Sequence, residues 1–460
     1  MILLSAVLLA ITFIAIAGVS GILTPGMAVL VAAGPALIWL VRRPAYLLGA
    51  AYAANGWGTY NLGMALTPMK VTTSLLIAVT CLQMLTRRRI EPMPTKFFAS
   101  MGLMFALVAS SELNAVFGAD ASSLFEFGGT IVFVLLLGQQ LHDNSVLRVF
   151  AIVATFNMLA FGAFVVNEVS WSAMMAGTVR AHGPCNQPNH LASIAALSLP
   201  FAIAVAVDRA NNRLWLRGAG VLGVAAAVYV QYAAASRGGT LALLVAMATM
   251  AWLVTERLGT RVAGLLLVGA LAVGFGSLAP NSFKNRVIET SSSAEKLNEN
   301  QSERFDHAGF ALRMIPERPW IGYGRLGFSE ARAYETQGRR TALHSSIMSM
   351  AVAYGLPATL LFIGVVLASM WIGMKAVQRW QNNAVYGHGL IASVASVFMS
   401  SMSGTDLFRV SLWGPVAMLY VLATRPESRP RVRAMARQAP DRPPLLEGRA
   451  LAPPYPASIR

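Results

Sequence analysis

The sequence predicts an all-α polytopic integral membrane protein with about 12–14 transmembrane helices and a partly helical segment outside the cytoplasm. Three observations carry this reading. The chain has 460 residues, of which 56% are hydrophobic and only 12% charged, and its mean hydropathy is +0.57. Apolar stretches recur along it at lengths near the roughly 20 residues that span a bilayer. Its basic residues gather in the short connections between every second pair of stretches, as the positive-inside rule requires of cytoplasmic loops. A soluble globular chain of this size does not have such a composition.

The predicted spans are 1–22, 25–41, 45–65, 72–87, 97–116, 122–140, 147–166, 191–208, 216–235, 239–255, 262–279, 346–374, 388–404 and 410–423. The first lacks a basic leading region and a small-residue cleavage site, and a second span follows at once. It therefore reads as a retained helix and not a signal peptide. Arg42 and Arg43, then Arg87, Arg88 and Arg89, then Arg148, the Arg209/Arg213/Arg217 group, Arg257 and Arg261, and Lys375 and Arg379 all fall on one side if the helices alternate. That side is the cytoplasm, and both termini lie there. Three regions follow: N-terminal transmembrane helices over 1–166, a membrane domain over 167–424 that includes the extracytoplasmic segment 280–345, and a basic tail over 425–460 rich in Pro and Arg.

The formal net charge of +16 is a topology signal here and not a nucleic-acid footprint. Cys81 sits in an apolar run and Cys185 in a polar loop, so neither a disulfide framework nor a Cys-based metal site is expected. No carboxylate pair or His/Asp/Glu cluster has metal-ligand spacing, so no metal and no cofactor are expected.

Two polar segments fall on the outer face, 167–190 and 280–345, and the chemistry should be built from them. The first ends in VRAHGPCNQPNHLA, with Arg180, Asn186, Asn189 and His190. Its asparagines read either as ligand-binding groups or as helix caps beside a Gly-Pro turn. Arg180 sits where no helix cap calls for it. Between the ninth and tenth spans lies Ser236-Arg237-Gly238-Gly239. An arginine beside backbone N–H groups that glycine leaves accessible suits a phosphate; the alternative is an arginine in a tight turn. In ERFDHAGFALRMIPERPWIGYGRLGF, Arg304 to Arg313 has helical spacing, Pro316 and Pro319 stop the helix, and Trp320 to Phe328 reads as a structured loop. Most arginines of this segment should be solvated or ion-paired. His344 closes the segment at the entry of an apolar helix, which places an imidazole at a membrane–water boundary. Glu168 and Asp406, near outer span ends, read as secondary bases or structural partners.

Together these residues resemble a known superfamily. Arg237-Gly-Gly-Thr-Leu241 is similar to the R-x-x-x-L element of bacterial O-antigen ligases, and His344-Ser345, nine residues, then Gly355 is similar to their H-[NSQ]-x9-G-x-x-[GTY] element. Ala358 departs from that pattern and tilts the reading from ligase toward polymerase. The SRGGTLALL, GPCNQPNHLA and RPWIGYGRLGF stretches resemble the wider superfamily of O-antigen ligases, O-antigen and exopolysaccharide polymerases and protein O-oligosaccharyltransferases.

The resemblance implies a fold like that of lipid-linked glycosyltransferases in the bacterial inner membrane. It implies metal-independent transfer of a glycan from an undecaprenyl-diphosphate donor to a glycan or lipid A-core acceptor on the periplasmic face. Whether it acts alone or beside a flippase and a chain-length regulator stays open; nucleic acid is not an expected partner. In that chemistry Arg180, Arg237, Arg304 and Arg313 are candidates for the diphosphate, Asn186, Asn189 and His190 for the substrate, and His344 for the acceptor hydroxyl. The competing class is a polysaccharide or lipid-linked-oligosaccharide transporter. It calls for interrupted helices in two related halves, charges near the midplane and no large one-sided loop, whereas here the polar residues crowd one face and no internal repeat is visible.

Overall fold

The computed structural model describes residues 43–54, 57, 68–87, 94–141, 145–176, 179–185, 187–255, 257–289, 294–335, 343, 345–380, 383–402 and 410–424. The expected spans 1–22 and 25–41 and the basic tail lie outside these residues. Within them the chain is helical, with no β-strand, and the protein is an all-α polytopic membrane protein. The helices are α1 Pro44–Ala54, α2 Pro68–Arg87, α3 Thr95–Leu113, α4 Ala121–Gln140, α5 Ser145–Glu168, α6 Trp171–Met175, α7 Pro188–Val207, α8 Leu214–Ala234, α9 Arg237–Val254 and α10 Leu258–Ser277. A short turn Asn281–Phe283 runs into Lys284–Glu289, and then come α11 Ala294–Glu317, α12 Gly327–Glu335, α13 Ser346–Val377, α14 Ala384–Ser401 and α15 Val410–Thr424. Nine of these described helices are long and apolar enough to cross a membrane.

Burial separates the helices into inner and outer ones. In α7, 78% of the most apolar window is buried, whereas in α10 none is. The central helix α7 packs on α5, α8, α9 and α14. Its register with α9 is set at Gly239, where a Cβ would come 2.4 Å from Ala192 Cβ. Only glycine allows two helices to approach so closely there. The outer α10 presents Leu258, Leu266 and Val273 to lipid, since apolar side chains gain nothing by leaving hydrocarbon for a protein core.

The two ends of the bundle differ in charge. At one end Arg148 donates to Asn212 Oδ1 at 3.1 Å, Asn212 donates to Tyr386 Oη at 2.9 Å, and Tyr386 donates to Asp208 Oδ2 at 2.7 Å. This network ties the starts of α5 and α8 to the end of α7 and the start of α14. Arg209, Arg213, Arg217, Arg257 and Lys375 share that end with it. The opposite end mixes acids and bases and collects the start of α7, the α8–α9 turn, the end of α5 and the α3–α4 connection.

At this mixed end α13 is broken. Gly355 has φ 81° and ψ 172° inside an otherwise continuous apolar helix. A break frees backbone groups that apolar surroundings cannot satisfy. The Pro319–Gly324 loop supplies the partners. Tyr323 N donates to Val352 O and Gly324 N to Ala353 O, both at 2.9 Å, while Leu356 N donates to Pro319 O at 2.7 Å. The fit demands glycine on both sides: a Cβ at Gly355 would lie 2.6 Å from the Trp320 carbonyl, and one at Gly322, with φ +74°, would lie 2.4 Å from Ala353 O.

Candidate functional site

The α8–α9 turn is a densely hydrogen-bonded polar element at the mixed end. Ala235 adopts a left-handed φ of 43° at the C-terminus of α8, and Ser236 then caps α9. Gln231 is fully buried. Its Nε2 donates to Ser236 O at 3.0 Å and to Thr240 Oγ1 at 2.9 Å, which locks the turn from inside. Arg237 is therefore the first residue of a helix whose N-terminal N–H groups and dipole favour an anion.

Arg180 reaches the same turn. Its Nε donates to Ala234 O at 2.9 Å and its Nη2 to Ala235 O at 3.4 Å. The expectation that Arg180 lies outside any cap is thus corrected. It caps α8 from 54 residues upstream, a partner that no local pattern could reveal. The neighbouring Ala181 N donates to Ala233 O at 2.9 Å. Glu168, at the end of α5, accepts from His182 N at 2.9 Å and from Gly183 N at 2.8 Å. Of the two roles expected for Glu168, the structural one is what its bonds show.

The start of α7 lies alongside. Gln187 occupies the N-cap position without a side-chain bond and Pro188 follows at the first turn. Of the two readings of the asparagines, a cap at this helix start is not what Asn189 provides, since Gln187 holds the N-cap position, and Pro188 suits the first turn because its missing N–H is one that the helix start leaves unused. Asn189 is exposed and His190 buried. Since α7 and α9 run parallel and meet at Ala192 and Gly239, Asn189, His190 and Arg237 enter on adjacent helix starts. Ser193 Oγ in α7 and Ser400 Oγ in α14 share a hydrogen bond that ties α7 to α14.

The remaining expected residues fall elsewhere. Arg313 is largely exposed; it faces Glu335 at 3.7 Å and lies over the Phe310 ring at 5.7 Å. Arg332 also pairs with Glu335, so these arginines of the polar segment are ion-paired as expected. Arg304 lies in α11, whose backbone alone is described there. Asn186, His344 and Asp406 lie outside the described residues. The flanks of His344 are described: Leu343 is buried, and Ser345 Oγ caps α13 by accepting from Met348 N at 3.4 Å. Among the described residues no group of three or more His, Cys, Asp and Glu is placed to hold a metal ion.

Sequence reasoning passed over a second polar centre. Glu112, at the end of α3, is only 1% exposed. It accepts from Arg325 N at 3.0 Å, Asp120 N at 2.9 Å and Ser123 Oγ at 3.0 Å. The Arg325 side chain pairs outward with Glu126 at 3.0 Å and Asp120 at 3.6 Å. Burial opposes its charge, but Glu126 and Asp120 outweigh that and hold its pKa above the ordinary value. Tyr323 Oη donates to Glu317. Burial first, and then that bond, push the phenol up to about 12, so it remains a neutral donor.

Residues 222–363 match the family described as O-antigen ligase. Over this segment, under a third of the chain, the sequence is similar to that family. The matched segment runs from within α8 to within α13. It takes in Arg237, α11, the Pro319–Gly324 loop and Gly355, and leaves Arg180, His190 and Glu112 outside it. No curated protein matches the chain.

Proposed function

We propose that this protein is a glycosyltransferase that moves a glycan from an undecaprenyl-diphosphate carrier to an acceptor on the periplasmic face of the bacterial inner membrane. It acts as an O-antigen or exopolysaccharide polymerase or as an O-antigen ligase. One observation carries the reading: within the segment that matches the O-antigen ligase family, Arg237 opens α9 on a turn fixed by Gln231 and Arg180. The charge difference between the two ends supports the sidedness, because the strongly basic end belongs in the cytoplasm.

The chemistry needs three things. The donor diphosphate must be held and its developing charge stabilised as the bond from the anomeric carbon to phosphate oxygen breaks. Arg237, with the N–H groups at the start of α9, supplies this, and Arg180 holds the turn that aims it. The acceptor hydroxyl, attacking the anomeric carbon, must lose its proton. His344 takes it, as an imidazole with an unperturbed pKa of about 6.5 is suited to do. The sugar needs polar contacts at the membrane boundary, and Asn189 and His190 in the first turn of α7 would supply them.

Glycan analysis of a deletion strain tests the function. Loss of surface polymer with single repeats on the acceptor means polymerase, and accumulation of free lipid-linked polymer means ligase. Unchanged surface glycan and carrier pools would refute both.

A further inference from the structure

We infer that Glu112 is a positioning residue for glycan transfer: it anchors the Pro319–Gly324 loop to the membrane bundle and, through that loop, fixes the segment on which His344 is carried. The inference rests on the functional reading above and adds to it a residue from outside the matched segment. The chain of contacts is short. Glu112 Oε1 receives Arg325 N at 3.0 Å. Two residues earlier the same strip of backbone donates from Tyr323 and Gly324 to the Val352 and Ala353 carbonyls. Ser111, beside Glu112, sends its hydroxyl to Ala353 O as well. The end of α3 therefore grips residues 352–353 both directly and through the loop.

The other end of this segment is gripped by the same extramembrane unit. Leu343 and Val352 share a small apolar core with Ala311, Met314, Tyr323 and Phe328. Leu343 and Val352–Ala353 are thus held by α11, the loop and α12, and His344 follows Leu343 in the sequence. Below, the rest of α13 is uncoupled from this stretch by the break at Gly355. Nothing in a continuous helix would set the entry of α13; the loop does, and the loop is tied down at Glu112.

A buried carboxylate suits this task. Its two oxygens accept from two backbone N–H groups and one hydroxyl, and no neutral side chain of that size offers as many acceptor positions. Gln at this position keeps one acceptor oxygen and turns its amide NH2 toward either Arg325 N or Asp120 N. The exposed Arg325–Glu126 pair cannot substitute, because surface pairs contribute little.

The test uses full-length protein in lipid nanodiscs, wild type against Glu112→Gln, with Gly322→Ala as a second variant that displaces the loop where it meets Ala353. Hydrogen exchange is followed together with transfer from a lipid-diphosphate-linked glycan. In either variant, exchange should quicken in residues 320–326 and 346–354 and stay unchanged in α8 and α9. Transfer should fall on the order of 10²-fold, as misplacement of a catalytic group by about 1 Å does, and the loss should lie in kcat. Unchanged exchange in the loop overturns the inference. So does quickened exchange with full transfer, or a loss confined to donor KM. Wild-type protein without transfer overturns the functional reading and this inference with it, whereas a variant that fails beside an active wild type bears on this inference alone.

Discussion

Arg180 Nε lies 2.9 Å from the carbonyl oxygen of Ala234, and that bond joins the segment after α6 to the turn that launches Arg237. The C-terminal carbonyls of α8 carry partial negative charge, and a guanidinium there completes the helix as it braces the turn. Arg180→Ala should cost stability of about 1.5 kcal/mol, the low end for a hydrogen bond to a charged donor because Arg180 is only partly buried. Thermal unfolding in detergent measures it. A variant as stable as wild type would remove the bracing role.

Arg237→Lys keeps the charge but loses the planar, two-pronged donor. Transfer should fall steeply while the amount of protein in the membrane stays the same. Equal activity of the Lys variant would reduce Arg237 to a local structural charge.

His344→Ala should abolish transfer, with a loss of about 10²–10⁴-fold, as expected for a general base, and leave donor binding intact. His344→Gln retains a hydrogen-bonding group but cannot accept a proton at neutral pH. Activity in Gln but not in Ala would make His344 an orienting group; near-normal activity in Ala would exclude any role in catalysis.

Gly355→Ala places a side chain at φ 81° and 2.6 Å from the Trp320 carbonyl. The strain alone costs about 1–3 kcal/mol, and the loop must also be displaced. Melting temperature should drop, and cleavage by protease between α11 and α12 should accelerate. An Ala variant with the wild-type melting point and cleavage rate would contradict the clamp at the break.

Much of this architecture is readable in the sequence, and the limits are physical. Spans such as 191–208 and 239–255 stand out because a run of apolar residues is a local property; the structure places α7 at Pro188–Val207 and α9 at Arg237–Val254. The stop read at Pro316 and Pro319 falls between them, at Glu317, and the glycines around Trp320 likewise mark the loop. What those glycines contact is not local: Gly322 fits against Ala353, and the capping partner of Arg180 lies 54 residues away. Glu112 was missed because one acid ending an apolar run looks like an ordinary boundary, while its bond to Arg325 spans 213 residues. Of the residues read from sequence, Arg237 opens α9 and Asn189 and His190 lie in the first turn of α7, whereas Arg313 faces Glu335 at the surface.

Sidedness can be read with reporter fusions. A phosphatase fused near residue 300 should be active, and one fused after Arg425 inactive, because the basic end of the bundle belongs in the cytoplasm. The reverse pattern would put the α8–α9 turn on the wrong side for a periplasmic donor.

The central claim is that the carrier–sugar bond is broken and the glycan joined to an acceptor. The most direct measurement is made with purified protein in liposomes carrying an undecaprenyl-diphosphate-linked glycan and its acceptor, with the lipid product and the glycan product quantified together. The account predicts one undecaprenyl diphosphate released per glycan joined, in wild type and not in Arg237→Lys. Glycan that crosses the bilayer still attached to its carrier, with no undecaprenyl diphosphate released, would contradict it and make the protein a transporter.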